Sequence, residues 1–169
     1  MDTLECIGTR RSIRRYTDEP VAPEHVDTLL AAAMAAPSAG NQQPWRFIVV
    51  TDAAMRERMA ATSPYAAMLP SAPLAVVICG DTSDLRHPDM WQHDCAAATQ
   101  NMLLAAHAIG LGAVWLGFYP HIERSEPLAA LLGIPHGIYP MAVVAIGHPA
   151  EEKEPSNRHA PSFVHHGSW

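Results

Sequence analysis

Four of the chain's eleven Lys and Arg residues fall in "RRSIRRY", residues 10–16, although the formal net charge is −6. A guanidinium is a planar fork of N–H donors that meets a phosphate or carboxylate through two bonds at once. Ser12, between the arginines, adds a neutral hydroxyl donor. Asp18 and Glu19 follow closely and offer the plainer alternative, a salt-bridged surface stretch. Spacing alone leaves both readings open.

A second stretch is "PSAGNQQPWRF", residues 37–47. Pro, Ser, Gly and Asn favour a tight polar turn, which here displays Ser38, Asn41, Gln42 and Gln43. Amide side chains both donate and accept, as recognition of a heteroaromatic edge requires. A well-capped loop with no ligand would have the same composition. Other familiar motifs fail on their residues. "GLGAVW", residues 110–115, puts Trp115 where a dinucleotide fingerprint needs glycine, and it runs from helix into strand rather than the reverse. Ser38 lies outside any G-x-S-x-G elbow. The ten histidines contain no H-E-x-x-H, and His93 and His107 are too far apart to share a helical turn, so no metal site is expected. "PAEEKEP" reads as a solvated acidic face.

Periodicity supplies the elements that must hold these stretches. A short helix over residues 2–9 leads into the arginines. Val26, Leu29, Leu30, Ala33 and Met34 form the stripe of an amphipathic helix that Pro23 opens and Pro37 closes. "WRFIVV" (45–50) reads as a strand, and "DAAMRERMAA" as a surface helix capped by Asp52. "APLAVVICGD" (72–81) is a buried strand. The longest helix runs from Trp91 to a Gly110 cap, and its many alanines allow a partner to approach closely. "GAVWLGF" (112–118), "ERSEPLAALLG" (123–133) and "YPMAVVAIG" (139–147) read as strand, helix and strand. The tail from Pro149 has no core pattern and must lie along something. The expected architecture is a single α+β domain over residues 1–169, a mixed sheet flanked by helices with an extended arm over 149–169.

Bulk properties set the outer limits. A chain of 169 residues, 49% hydrophobic and 17% charged, is an ordinary globular composition with little charge to spare. The acidic balance argues against a nucleic-acid module, so any anion site must be local. Cys6, Cys79 and Cys95 are scattered without a C-x-x-C, which suits free thiols in a reducing compartment. The N-terminal residues lack the apolar core of a signal peptide, so a cytoplasmic location is expected.

Taken in order, "RRSIRRY", "APSAGNQQPWRFIVV", "APLAVVICGD", "DCAAATQNMLLAAHAIGLGAVW", "LGFYP" and a late Arg158 resemble the nitroreductase family of FMN enzymes. The resemblance covers nearly the whole chain, and the first two motifs with their spacing are its most specific part. It implies an intertwined homodimer built on a mainly antiparallel α+β sheet, with FMN at the interface and a C-terminal arm reaching the partner subunit. By motif, Arg10, Arg11, Ser12 and Arg14 would contact the phosphate, ribityl chain and pyrimidine edge, and Arg158 would add a cation at the phosphate. Pro37, Ser38, Asn41 and Gln43 would reach the flavin from the partner. Val114, Trp115, Leu116 and Gly117 would lie along one ring face, with the Leu116 or Gly117 backbone N–H near N5. Arg15 has no matching role.

The same resemblance implies hydride uptake by the flavin from NADH or NADPH and onward transfer to nitroaromatics, quinones or similar acceptors, with no side chain needed as a catalytic acid or base. Two departures bear on substrate preference. Relatives often carry polar ring contacts where this chain has Pro64–Met68, which leaves only Ser63 and Tyr65, and an acidic residue where Leu116 stands. Relatives that dehalogenate or fragment the flavin, and a flavin-binding protein without turnover, are the alternatives. The first group needs a lid, for which residues 60–72 leave little room.

Overall fold

A computed structural model describes all residues, 1–169. Helix α1 (Thr3–Thr9) is capped by Asp2, whose carboxylate accepts the Leu4 N–H at 2.9 Å. Helix α2 (Pro23–Met34) begins on Pro23, where a missing N–H costs nothing. Strand β1 (Trp45–Val50) and helix α3 (Ala53–Ala60) follow, and Asp52 caps α3 through the Met55 N–H at 2.7 Å. Strand β2 (Leu74–Asp81), helix α4 (Trp91–Ala108), strand β3 (Gly112–Gly117), helix α5 (Ile122–Leu132) and strand β4 (Ile138–Gly147) complete the order. Gly110 ends α4 at φ +85°. Its N–H donates to His107 O at 3.1 Å and the Leu111 N–H donates to Ala106 O at 2.8 Å, the paired bonds of a Schellman stop. No helix is long and apolar enough to cross a membrane.

The sheet order is β1-β2-β4-β3, and every ladder is antiparallel. The expected mixed character therefore shrinks to one isolated parallel bridge, Ser12 to Ala113. Strands β2 and β4 are central and apolar at nearly every position because both of their faces are covered. Val76, Ile78, Val144 and Ile146 pack beneath α2 and α4. Val77, Val143 and Ala145 face the other way, toward Met59 of α3 and Leu128 of α5. Arg56 and Met59 of α3 are buried, so the expected surface helix has one face in the core. At the start of α4, Trp91 lies directly on Gly80, where an added Cβ would fall 2.1 Å from the indole ring. Tyr119 and Tyr139 close around the same indole at 4.9 and 6.0 Å between ring centroids.

The tail, which lacks a core pattern, first lies along its own subunit by pairing with the N-terminal segment. Thr17 N–H donates to His148 O and Ala150 N–H to Arg15 O, both at 2.9 Å, around a Tyr16–Pro149 bridge. Side-chain bonds continue this pairing through Glu151 and Lys153. Backbone bonds to the body end at Ala150 and side-chain bonds at Lys153, and a short turn at Pro161–Phe163 lies within the tail itself.

Candidate functional site

Arg10, Arg11, Ser12, Arg14 and Arg158 converge on one cavity of about 230 Å³ that has no hydrophobic lining residue. Lys153, the chain's only lysine, completes the lining. The segment is held by backbone. Arg10 N–H donates to Cys6 O at 3.0 Å, closing α1, and Ile13 N–H donates to Ala113 O at 3.0 Å, which lays the arginines beside β3. Beneath them the Tyr16 hydroxyl is shared between Ile13 O at 2.6 Å and Ala145 O at 3.1 Å. Burial pushes the Tyr16 phenol well above its ordinary pKa despite the nearby Arg14, so it stays protonated and available as that donor. Thr9 spends its hydroxyl proton on Glu5 O, so its oxygen accepts from His107 Nε2–H at 2.9 Å. Burial of the ring, with the Arg10 charge beside it, lowers the His107 pKa and keeps the imidazole neutral at neutral pH.

The electrostatics of the cavity fit a phosphate. Arg10, Arg11, Arg14 and Arg158 have no carboxylate within 4 Å, and only Lys153 is paired, with Glu151 at 3.1 Å. Arg10 is pushed below its ordinary pKa by burial and by the like charges of Arg158 and Arg11. Cations gathered this way repel one another until an anion of matching geometry arrives. Glu151 is held below the usual carboxylate range, chiefly because the Arg14 N–H donates to it at 2.6 Å, with Lys153 adding to the effect. Lys153 in turn donates to Ser12 O at 2.7 Å. Within "PAEEKEP", Glu151 and Lys153 thus act as a structural strap, while Glu152 and Glu154 face solvent as expected. Lys153 is the site residue that sequence reading missed, and only its isolation as the single lysine could have drawn attention to it.

Strand β3 borders this cavity as an edge strand. Ala113 turns its carbonyl outward to Ile13, while the Phe118 N–H turns inward to Met141 O at 3.0 Å. Alternation along the strand therefore points the Trp115 and Gly117 N–H groups outward and spends those of Val114 and Leu116 on β4. Of the two donors anticipated, Gly117 is the available one and Leu116 is not. The Val114 and Leu116 side chains are buried in the core, Trp115 is half-buried and Gly117 is exposed.

Pro37, Ser38, Asn41 and Gln43 do not line the arginine cavity within this chain. They form a separate arch in which Gly40, Asn41 and Gln43 all have left-handed backbone, with φ of +55°, +56° and +49°. Its polar atoms are mutually engaged. Gln43 N–H donates to Ser38 Oγ at 3.0 Å, and Gln43 Nε2 donates to Asn41 Oδ1 at 2.9 Å. What remains to offer is the Ser38 hydroxyl proton and the Asn41 amide N–H₂ as donors, with the exposed Gln43 amide keeping its oxygen and a second N–H. Gln42 faces inward, toward Asp94 and the His87 backbone. In the Pro64–Met68 region, Ser63 is buried and accepts from the Tyr65 N–H, while exposed Tyr65 carries the Arg124 guanidinium 4.7 Å from its ring centroid. No group of three or more His, Cys, Asp or Glu is gathered as metal ligands would be.

This combination of an α+β sheet, a cationic cavity at an edge strand and a rigid amide arch agrees with known proteins. The profile of the nitroreductase family matches residues 7–64 and 60–148. A protein of Archaeoglobus fulgidus, provisionally named NADH dehydrogenase/NAD(P)H nitroreductase, is 47% identical over 172 residues, 99% of either chain. An FMN-dependent nitroreductase of Clostridium difficile superposes with a TM-score of 0.92 at 28% identity, covering 98% of this chain and 99% of that one. A provisionally named nitroreductase of Desulfovibrio desulfuricans, solved in complex with FMN, gives 0.89 at 36% identity, covering 100% and 98%. The chain belongs to the nitroreductase family.

Proposed function

We propose that the protein is an NAD(P)H-dependent FMN oxidoreductase whose residues 1–169 form one flavin-binding domain working as a homodimer. The observation that carries this reading is the cluster of unpaired cations beside the outward-facing edge of β3. Such a cluster suits the FMN phosphate, and the adjacent edge suits the ring. Arg10, Arg11, Arg14, Lys153 and Arg158 neutralise the phosphate, and Ser12 adds a hydroxyl donor to it or to the ribityl chain. The Gly117 N–H is the donor offered to ring atom N5. Ser38 and Asn41 present donors to ring carbonyls from the partner subunit, with Pro37 and Gln43 shaping the arch. Bound flavin supplies the redox chemistry, accepting hydride from NADH or NADPH and passing electrons to an acceptor. The chain fixes orientation and places positive charge and donors where negative charge builds on reduction.

The acceptor is proposed as a planar nitroaromatic, quinone or similar compound. The dimer reading is supported by apolar residues left in water by one chain. Leu4, Ile7 and Met34 are exposed, and an apolar groove of about 350 Å³ runs between α1, α2 and α4 past Cys6, Leu104 and Ala105. The three cysteines are unpaired and buried, which supports a reducing, cytoplasmic setting.

The test is an absorbance spectrum of the purified protein followed by anaerobic titration with NADH and NADPH. A yellow protein that either nucleotide bleaches supports the reading. A colourless protein that takes up no added FMN sinks it, and a bound flavin that neither nucleotide bleaches leaves binding without turnover.

A further inference from the structure

Beneath the arch of residues 38–43 lies a carboxylate that the proposed function leaves unused. Asp94, in the first turn of α4, is 4% exposed and has no Lys, Arg or His within 4 Å. A buried charge is costly unless its oxygens are satisfied. Here both are satisfied by the arch. Oδ1 accepts the Ala39 N–H at 2.9 Å, and Oδ2 accepts Gln42 Nε2 at 2.7 Å. The Gln42 amide then grips the His87 backbone from both sides, donating to its O at 3.2 Å and accepting from its N–H at 3.0 Å. The two anchors, Ala39 and Gln42, bracket Gly40 and Asn41, which are both left-handed. Gly and Asn tolerate such backbone, whereas the left-handed Gln43 that follows persists only where its surroundings impose it.

We propose that Asp94 is the positioning residue for the flavin ring, fixing the arch so that the Ser38 and Asn41 donors are aimed before ligand arrives. This rests on the reading that the arch meets the flavin. Asp94 touches no ligand and acts through Ala39 and Gln42. Asp94→Asn would set an amide N–H₂ against one of two donors, so that either Ala39 or Gln42 loses its partner. The arch then relaxes while the arginine cavity, built on other elements, is untouched.

The experiment measures binding of FMN and of riboflavin, which lacks the phosphate, by fluorescence titration of the full chain. Asp94→Asn and Gln42→Leu are expected to weaken both ligands equally, by about tenfold, as loss of a charge-assisted hydrogen bond at a binding element would. The visible band of the bound flavin should shift, and Asp94→Glu should recover part of the affinity. Arg158→Ala is expected to weaken FMN and spare riboflavin. Unchanged affinity and spectrum in both Asp94→Asn and Gln42→Leu, with wild type binding FMN normally, overturn the proposal and leave the flavin reading intact. A loss confined to FMN also overturns it, because the effect would then lie at the phosphate. Should Asp94→Asn fail to fold, Gln42→Leu decides alone by the same criteria. Wild type that binds no flavin brings down the functional reading first, and this inference with it.

Discussion

The two halves of the site are held in opposite ways. The arginine segment is a set of unsatisfied charges on a satisfied backbone: its N–H groups are committed to α1, β3 and the tail, while its guanidinium groups lack carboxylates. The 38–43 arch is the reverse, a costly backbone held by side-chain bonds that leave a few neutral donors to spare. One half stores electrostatic tension that an anion relieves, and the other stores backbone strain that the protein itself relieves. Affinity for the phosphate should therefore come from charge, and affinity for the ring from shape.

The largest effect should come from removing charge. Arg10→Ala with Arg158→Ala is expected to weaken FMN by roughly a hundredfold or more, taking about 1.5–3 kcal/mol for each charged hydrogen bond lost. The same double variant should raise the flavin-free melting temperature, because the burial cost and the like-charge repulsion that depress Arg10 are both gone. A fall in both measurements would break the comparison. Next in size is Gly40→Val. Left-handed backbone at φ +55° costs a branched residue about 1–2 kcal/mol, and the His87 ring stands 2.9 Å from where a Cβ would sit. Riboflavin and FMN should both weaken, by about tenfold.

Added salt sharpens the contrast further. FMN affinity should fall several-fold as the ionic strength approaches about 1 M, where screening acts within roughly 3 Å, and riboflavin affinity should hardly change. Equal salt sensitivity would mean that ring and phosphate are not recognised separately. The smallest effect concerns Glu151, whose folded pKa is depressed by the Arg14 N–H. A depressed carboxylate contributes stability above its unfolded value and loses it as pH falls through the folded one. Glu151→Gln should therefore lower stability slightly at neutral pH and make little difference once acid has protonated the wild-type carboxylate, so the variant loses less stability on acidification, as acid-unfolding curves would show.

The elements were legible because their signals are local. Alternating and continuous apolar runs marked the four strands, and Pro23, Asp52 and Gly110 marked helix ends through chemistry confined to a few residues. Arg10, Arg11, Ser12 and Arg14 were legible as a run of guanidinium groups around a hydroxyl, Arg158 only through the family resemblance, and all five meet at one cavity. What stayed hidden depends on distant pairings. Lys153 joins the cavity through a partner 141 positions away, within a stretch whose composition resembles solvent-facing charge. Asp94 reads as an ordinary helix residue until the arch, 55 positions earlier, is laid on it. The choice of Gly117 over Leu116 is a matter of strand register, and register is set by β4, which follows β3 in the chain. Arg56 looks exposed in a charged helix because nothing local reports that the Thr51 and Pro73 carbonyls enclose it.

The pairing of residues 148–153 with 12–17 also has a consequence in time. The cationic cavity draws its groups from residues 10–14 and 153–158, so during synthesis it is completed only after every strand of the sheet has been made. Bridges closing loops of 137 and 141 positions form late, after the contacts that make them worthwhile. A ribosome-bound chain can assemble the sheet through β4 and still have no place for a phosphate. A chain cut before Lys153 would take Lys153 and Arg158 from the cavity and leave Arg10, Arg11, Ser12 and Arg14 to meet an anion alone, so the tail decides how tightly the earlier cations can hold it.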